Sequence, residues 1–195
     1  MVSIAIFSMS IAAFTALFSR SWKTNSYVFK EGQESSALSY AINGVVGNLR
    51  KTCQSGDGSY PIKSAAANDL VVFSDVDRDE KVEKVHYFYQ NGNLQMGVSE
   101  PSGNPLSYPT GDTTVTTVAS YIVNDASNPI FTYFNNNYPG DTANNPVPVP
   151  VTNTNIQNIR LIKIHLMMNM NPSQAPNNIN FESFAELRNL NDYNN

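Results

Sequence analysis

The first 18 residues, MVSIAIFSMSIAAFTALF, carry no charge, no glycine and no proline. Wound as a helix at 1.5 Å per residue they span about 27 Å, just short of the ~30 Å hydrocarbon core of a bilayer. Arg20, Trp22, Lys23 and Tyr27 come next as a belt of cations and aromatics of the kind found at a membrane interface. A secretory signal peptide needs basic residues ahead of its apolar core and a small-residue cleavage site behind it. No Lys or Arg precedes this run, and Ser19-Arg20-Ser21 is a poor cleavage site. A buried core helix is the remaining alternative, and it rarely stays uncharged for so long at a terminus. The pattern predicts a membrane-spanning helix over residues 1–18.

The helical spacing does not stop at Phe18. Apolar residues recur at Tyr27, Val28, Leu38, Ala41, Ile42, Val45, Val46 and Leu49, with polar residues between them, which is amphipathic helical periodicity. Gly32, Gly44 and Gly47 each weaken a helix by about 1 kcal/mol relative to Ala, and a bend is expected at Gly32. Arg50 and Lys51 suit a helix C-terminus, and Ser55-Gly56-Asp57-Gly58 ends the run. One helix over residues 1–52 is expected, apolar all round at first and amphipathic later.

Residues 53–195 read as strands and turns. Leu70–Phe73 is a short apolar strand. Val82–Gln90 alternates, with Glu83, Val85, Tyr87 and Tyr89 on one face and Val82, Lys84, His86 and Phe88 on the other. Asn91-Gly92 is a type I′ hairpin signal before Leu94–Val98. Thr113–Val123 is open between strand and short helix, and Pro129–Phe134 reads as a strand. Residues 135–155, with their Asn and Pro clusters, form a loop containing a polyproline II stretch. Ile156–Met168 reads as a long strand joined across Asn171–Pro176 to a partner over Asn178–Leu190. The expected class is α+β: a long helix whose amphipathic half covers an antiparallel sheet.

Composition narrows the chemistry. Charged residues make up 14%, against about 25% in an average domain, and 26 Asn take up much of the polar surface. A net charge of −4 provides no field to attract nucleic acid. A single cysteine excludes an internal disulfide or a Cys-rich zinc site, and two histidines leave little for a His-based metal centre.

The segment Met1-Val2-Ser3-Ile4-Ala5-Ile6-Phe7-Ser8-Met9 is similar to the residues after the Glu of an N-terminal G-F-T-L-x-E motif, and on it the chain resembles a type IV pilin-like protein, a minor pilin or pseudopilin. The likeness continues through the long helix and its Gly-rich end. It extends less specifically to Asn158–Ile164 and Phe184–Leu190, which look like the final strands of such proteins. The family's basic leader, its cleaved Gly–Phe bond and its Glu are not in this sequence, and Met1 falls immediately after that Glu. The expectation is that Met1 is an internal methionine of a longer protein, whose leader a prepilin peptidase would remove before N-terminal methylation. Such a leader would also favour an outward-facing head, which Arg20 and Lys23 alone oppose.

The resemblance implies a structural subunit of a type IV pilus, competence or type II secretion-like filament, and not an enzyme. It would sit in the cell membrane as a single-pass protein before joining an extracytoplasmic filament. Its partners would be other pilin subunits, met through the N-terminal helix. Val2, Ile6, Met9, Ala13 and Leu17 are the candidate helix–helix contacts, and Ser3, Ser8, Ala12 and Ala16 would permit close approach. The alternative is a secreted or membrane-tethered β-rich binding module, adhesin-like, without a role in a filament.

Asp75, Asp77 and Asp79 alternate in Asp-Val-Asp-Arg-Asp-Glu-Lys-Val-Glu. Carboxylates at that spacing in a tight loop converge on a hard cation such as Ca²⁺. The run resembles the first half of an EF-hand loop, with Glu80 where the turn glycine belongs and His86 at the twelfth position. The competing reading is a solvated acidic tip neutralised by Arg78 and Lys81. Without a cation the three carboxylates are expected to raise one another's pKa. No G-x-S-x-G, H-E-x-x-H or P-loop occurs. Lys51 could lower the pKa of Cys53, yet no His or Asp is near it in sequence, so it reads as structural. His86 and His165 read as strand residues, and the aromatics of 87–89 and 131–138 as strand residues more than a sugar-binding face.

Overall fold

The computed structural model describes residues 2–170 and 178–190, apart from the side chains of Val2 and Ala5. The turn expected over Asn171–Pro176 lies outside the described residues. The protein is α+β, with one long N-terminal helix followed by antiparallel strands. It divides into two compact units, Met1–Ser36 and Ala37–Asn195.

Helix α1 spans Val2–Leu49 and runs through Gly32 without interruption. Adding a residue to an existing helix gains a hydrogen bond at the cost of ordering one residue, so an isolated glycine weakens a long helix without ending it. Ser36 Oγ also donates to the Gly32 carbonyl, at 2.9 Å. Among the described side chains of the first unit the helix is exposed, apart from half-buried Tyr27, Glu34 and Ser35. In the second unit residues 37–49 bury one stripe, Leu38, Ala41, Ile42, Val45, Val46 and Leu49. Spaced three and four apart, these side chains lie on one face. They belong to one apolar cluster with Leu70, Val72, Val85, Tyr87 and Leu94 of the strands. Exposed Val28 is not part of that stripe.

The chain after α1 forms two sheets where the apolar pattern predicts one. The first contains β1 (Ile62–Ala65), β2 (Asp69–Ser74), β3 (Glu83–Gln90), β4 (Asn93–Ser99) and β5 (Thr114–Ala119), paired in that order as a meander. The second contains β6 (Phe131–Phe134), β7 (Leu161–Met168) and β8 (Ile179–Glu186), again in order and antiparallel. Continuous pairing stops after β5, where Tyr121 takes a left-handed conformation at φ 59°. Beyond it the two sheets touch through an isolated bridge, Ile122 to Met168. Flanking this bridge, the Val123 N–H bonds the Met167 carbonyl at 2.8 Å and the Asn169 N–H bonds the Tyr121 carbonyl at 3.0 Å.

The β3–β4 hairpin turns at Asn91 and Gly92, at φ 51° and 75°, both in the left-handed region a type I′ turn requires. Thr114–Ala119 is a strand, so the β-branched content decides that segment. Strand β1 lies in a stretch that the apolar pattern leaves unassigned, because Ile62-Lys63-Ser64-Ala65 holds only two apolar residues. The strand expected from Ile156 begins at Leu161 instead; Asn153–Ile156 forms a single helical turn, α2. Ile156 and Ile159 are nevertheless buried, so apolar content there reflects a packed turn and not a ladder.

Candidate functional site

The helix surface of the first unit exposes many large apolar side chains. Ile6, Met9 and Leu17 are 62%, 78% and 68% exposed, and Ala13 is exposed between them. Spaced three and four apart, they share one face. The Val2 side chain, expected to extend that line, lies outside the described residues. Ile4, Phe7, Ile11, Phe14 and Phe18 are exposed as well, so the surface is apolar on more than one side. Its hydroxyls turn inward: Ser10 Oγ donates to the Ile6 carbonyl at 2.9 Å and Thr15 Oγ1 to the Ile11 carbonyl at 2.8 Å. Such back-bonding satisfies a hydroxyl within its own helix. No helix among the described residues is long and apolar enough to cross a membrane; Met1 and the side chains of Val2 and Ala5, part of the same apolar run, lie outside them.

The second site closes the β2–β3 hairpin. Ser74 pairs with Glu83 at the end of the ladder, and residues 75–82 cross between them. Asp75, Asp77, Asp79 and Glu83 each place a carboxylate oxygen within 4.8 Å of the others. The loop is wound by its own aspartates. Asp75 Oδ1 accepts the Arg78 N–H at 2.5 Å, Asp77 Oδ1 the Asp79 N–H at 3.2 Å, and Asp79 Oδ1 the Lys81 N–H at 2.9 Å. Short acidic side chains favour such turns because they reach backbone donors two or three residues ahead. Arg78 and Glu80 adopt left-handed φ values of 71° and 70°. Glu80 thus takes up the conformation for which an EF-hand loop uses glycine.

Glu83 is the member that sequence reasoning missed, since strand alternation assigns it only a place in β3. Its signal was its offset, eight residues after Asp75, the ninth position of an EF-hand loop. Glu83 is 0% exposed. Its Oε2 accepts the Val76 N–H at 2.8 Å, and its Oε1 is buried with no hydrogen-bond partner among the described residues. Burial pushes the Glu83 carboxyl pKa up, outweighing the Val76 hydrogen bond, and Asp77, Glu100 and Asp75 add to the rise. Asp79 moves the other way. Hydrogen bonds from Lys81, whose Nζ lies 2.7 Å from Asp79 Oδ2, hold it below the usual carboxylate value. Asp79 is therefore not raised as expected, because the hydrogen bonds from Lys81 dominate its surroundings.

Burial pushes the Cys53 thiol up, reinforced by Asp75 and Glu83 charge and opposed by a hydrogen bond from the Asp75 backbone. Lys51 therefore does not activate it. His86 lies between two carboxylates, with Nε2 2.8 Å from Asp69 Oδ2 and Nδ1 2.8 Å from Asp112 Oδ2. His165 Nε2 stands 4.0 Å from Glu182. Tyr87, Phe131 and Tyr133 are buried in the core, which removes them from any sugar-binding face. No family model matches this chain, and no curated protein or solved structure matches it significantly.

Proposed function

We propose that this chain is a structural subunit, a minor pilin or pseudopilin, of a type IV pilus, competence or type II secretion-like filament. It is held in the cell membrane by its N-terminal helix and joins other subunits through the same helix. The observation that carries the reading is the exposed apolar surface around Ile6, Met9 and Leu17. Side chains of that kind are stable against lipid or against other apolar helices, and costly in water at about 25 cal/mol per Å². The inward-turned hydroxyls of Ser10 and Thr15 suit both environments, since neither leaves a donor unsatisfied. The family resemblance of the first nine residues supports the choice of filament over lipid as the final partner. Chemistry plays no part in this reading: the protein acts by being packed.

The test is fractionation of cells that make the protein, comparing wild type with Met9→Asp. The wild-type chain is expected in membranes and in filaments sheared from the surface. The aspartate places a charge on the contact face and should empty the filament fraction. Recovery of both proteins only from the cell-free supernatant would favour the secreted binding module instead.

A further inference from the structure

We propose that the Asp75–Glu83 hairpin tip is a calcium site formed by Asp75, Asp77, Asp79 and Glu83. This does not rest on the filament reading, since it concerns the second unit alone. Convergence of acidic side chains would be weak support by itself, as exposed carboxylates often gather at a hairpin tip. Glu83 changes that. It is fully buried, its Oε1 has no donor among the described residues, and it stands in the same 4.8 Å cluster as the three aspartates. A buried carboxylate with one oxygen unbonded is costly, and a cation held by the Glu83 carboxyl group together with the three aspartates would offset that cost.

The donor set decides which cation. Every ligand atom on offer is a carboxylate oxygen, which selects a hard ion over zinc or copper. Mg²⁺ keeps several of its waters and takes one or two carboxylates, whereas Ca²⁺ accepts six to eight oxygens in flexible geometry. Three loop carboxylates and one at the start of β3 suit Ca²⁺. Lys81 is the competitor for Asp79; its side chain is 62% exposed, so it is free to swing away when the ion arrives.

The site also has a place in the architecture. Ser74, at the end of β2, donates through Oγ to the Asn48 carbonyl at 3.1 Å, and the Cys53 N–H bonds the Phe73 carbonyl at 2.9 Å. The hairpin is thus tied to the last turn of α1. Binding an ion at its tip stiffens the loop that adjoins the helix end, making the fold of this unit responsive to calcium.

The experiment uses the full chain in detergent, stripped with chelator, and reads thermal unfolding against added CaCl₂ and, separately, MgCl₂. Wild type is expected to melt about 5–10 °C higher at a Ca²⁺ concentration 100-fold above its dissociation constant, with a much smaller rise in Mg²⁺. Glu83→Gln should melt higher than wild type in chelator, because it removes a buried charge, and should lose most of the calcium response. Asp77→Asn, at an exposed position, should fold normally and weaken the response at least tenfold in apparent affinity. An equal rise in Ca²⁺ and Mg²⁺, an unchanged calcium response in both variants, or no rise in wild type would overturn the proposal.

Discussion

Asp112 reaches His86 across bare backbone. The two sit 2.8 Å apart, Oδ2 to Nδ1, although β4 runs between them. The residue paired with His86 on β4 is Gly97, and a side chain there would overlap the Asp112 carboxylate. Asp69 approaches the opposite ring nitrogen from β2, so the imidazole is flanked by acceptors on both sides.

Both acceptors favour the imidazolium. The Asp69 hydrogen bond raises the His86 pKa most, burial opposes it, and Asp112 adds to the rise. A base whose folded pKa exceeds its unfolded value of about 6.5 stabilises the fold below that pH. The contribution is lost as pH rises through the higher, folded value. Unfolding by urea at a series of pH values should show stability falling on the alkaline side of pH 6.5, and His86→Gln should flatten that slope. Equal slopes in the two proteins would contradict the assignment.

Gly97→Ala should destabilise the second unit by about 1–3 kcal/mol, the usual cost of forcing atoms into a filled space. Removing the obstructing group should relieve much of it. In a double-mutant cycle, Asp112→Ala and Gly97→Ala are expected to couple by at least about 0.5 kcal/mol. Additive effects would mean that the strand absorbs the methyl group elsewhere.

Lys84 is 4% exposed, and its ammonium donates to the carbonyls of Pro109 at 2.6 Å and Gly111 at 3.0 Å. Burial lowers its pKa against the pull of Asp112. Lys84→Ala leaves those carbonyls unpaired and should cost about 2–4 kcal/mol. Proteolysis should then first cut near residues 109–112, which Lys84 pins. Cleavage elsewhere at unchanged stability would show that the loop holds itself.

Glu83 gives the acidic counterpart of the His86 effect. Its folded pKa lies above that of the unfolded chain, so more protons are bound folded than unfolded between the two values. Stability in chelator should therefore fall as pH rises from about 4.5 through the folded value. Glu83→Gln should remove that decline. A carboxylate already neutralised by a protein partner would show no such slope.

The two parts of α1 should respond differently to truncation. Ile42→Ala opens a cavity in the strand-covered cluster and should cost about 2–5 kcal/mol of the second unit's stability. Ile6→Ala removes an exposed side chain and should leave that unit within about 0.5 kcal/mol of wild type. A similar loss from both would mean that Ile6 is buried by the fold itself.

Periodicity made the long helix, the Asn91-Gly92 turn and most strands legible, because each follows from local spacing that burial then rewards. The Leu38-to-Leu49 stripe is an example: its side chains meet the strands at the positions where the pattern is apolar. The hidden features depend on distant partners. Ile62–Ala65 pairs with β2 despite its polar middle, and the split into two sheets follows from a left-handed residue, Tyr121, that has no apolar signature. The acidic tip was half visible. Its aspartates announce themselves by alternation, whereas Glu83 looks like any strand residue until its burial and its unpaired oxygen are seen together. Gly97 was silent too, since its role is to leave room for Asp112.

The filament reading is tested most directly by crosslinking in sheared surface filaments. In a Cys53→Ser background, a single cysteine at position 17 replaces Leu17, and in a separate protein one replaces Tyr40. Packing through the apolar helix predicts that the position 17 cysteine joins neighbouring subunits on oxidation, while position 40 gives markedly less product. Absence of the protein from the filaments, or its recovery as an uncrosslinked monomer from both positions, would contradict it.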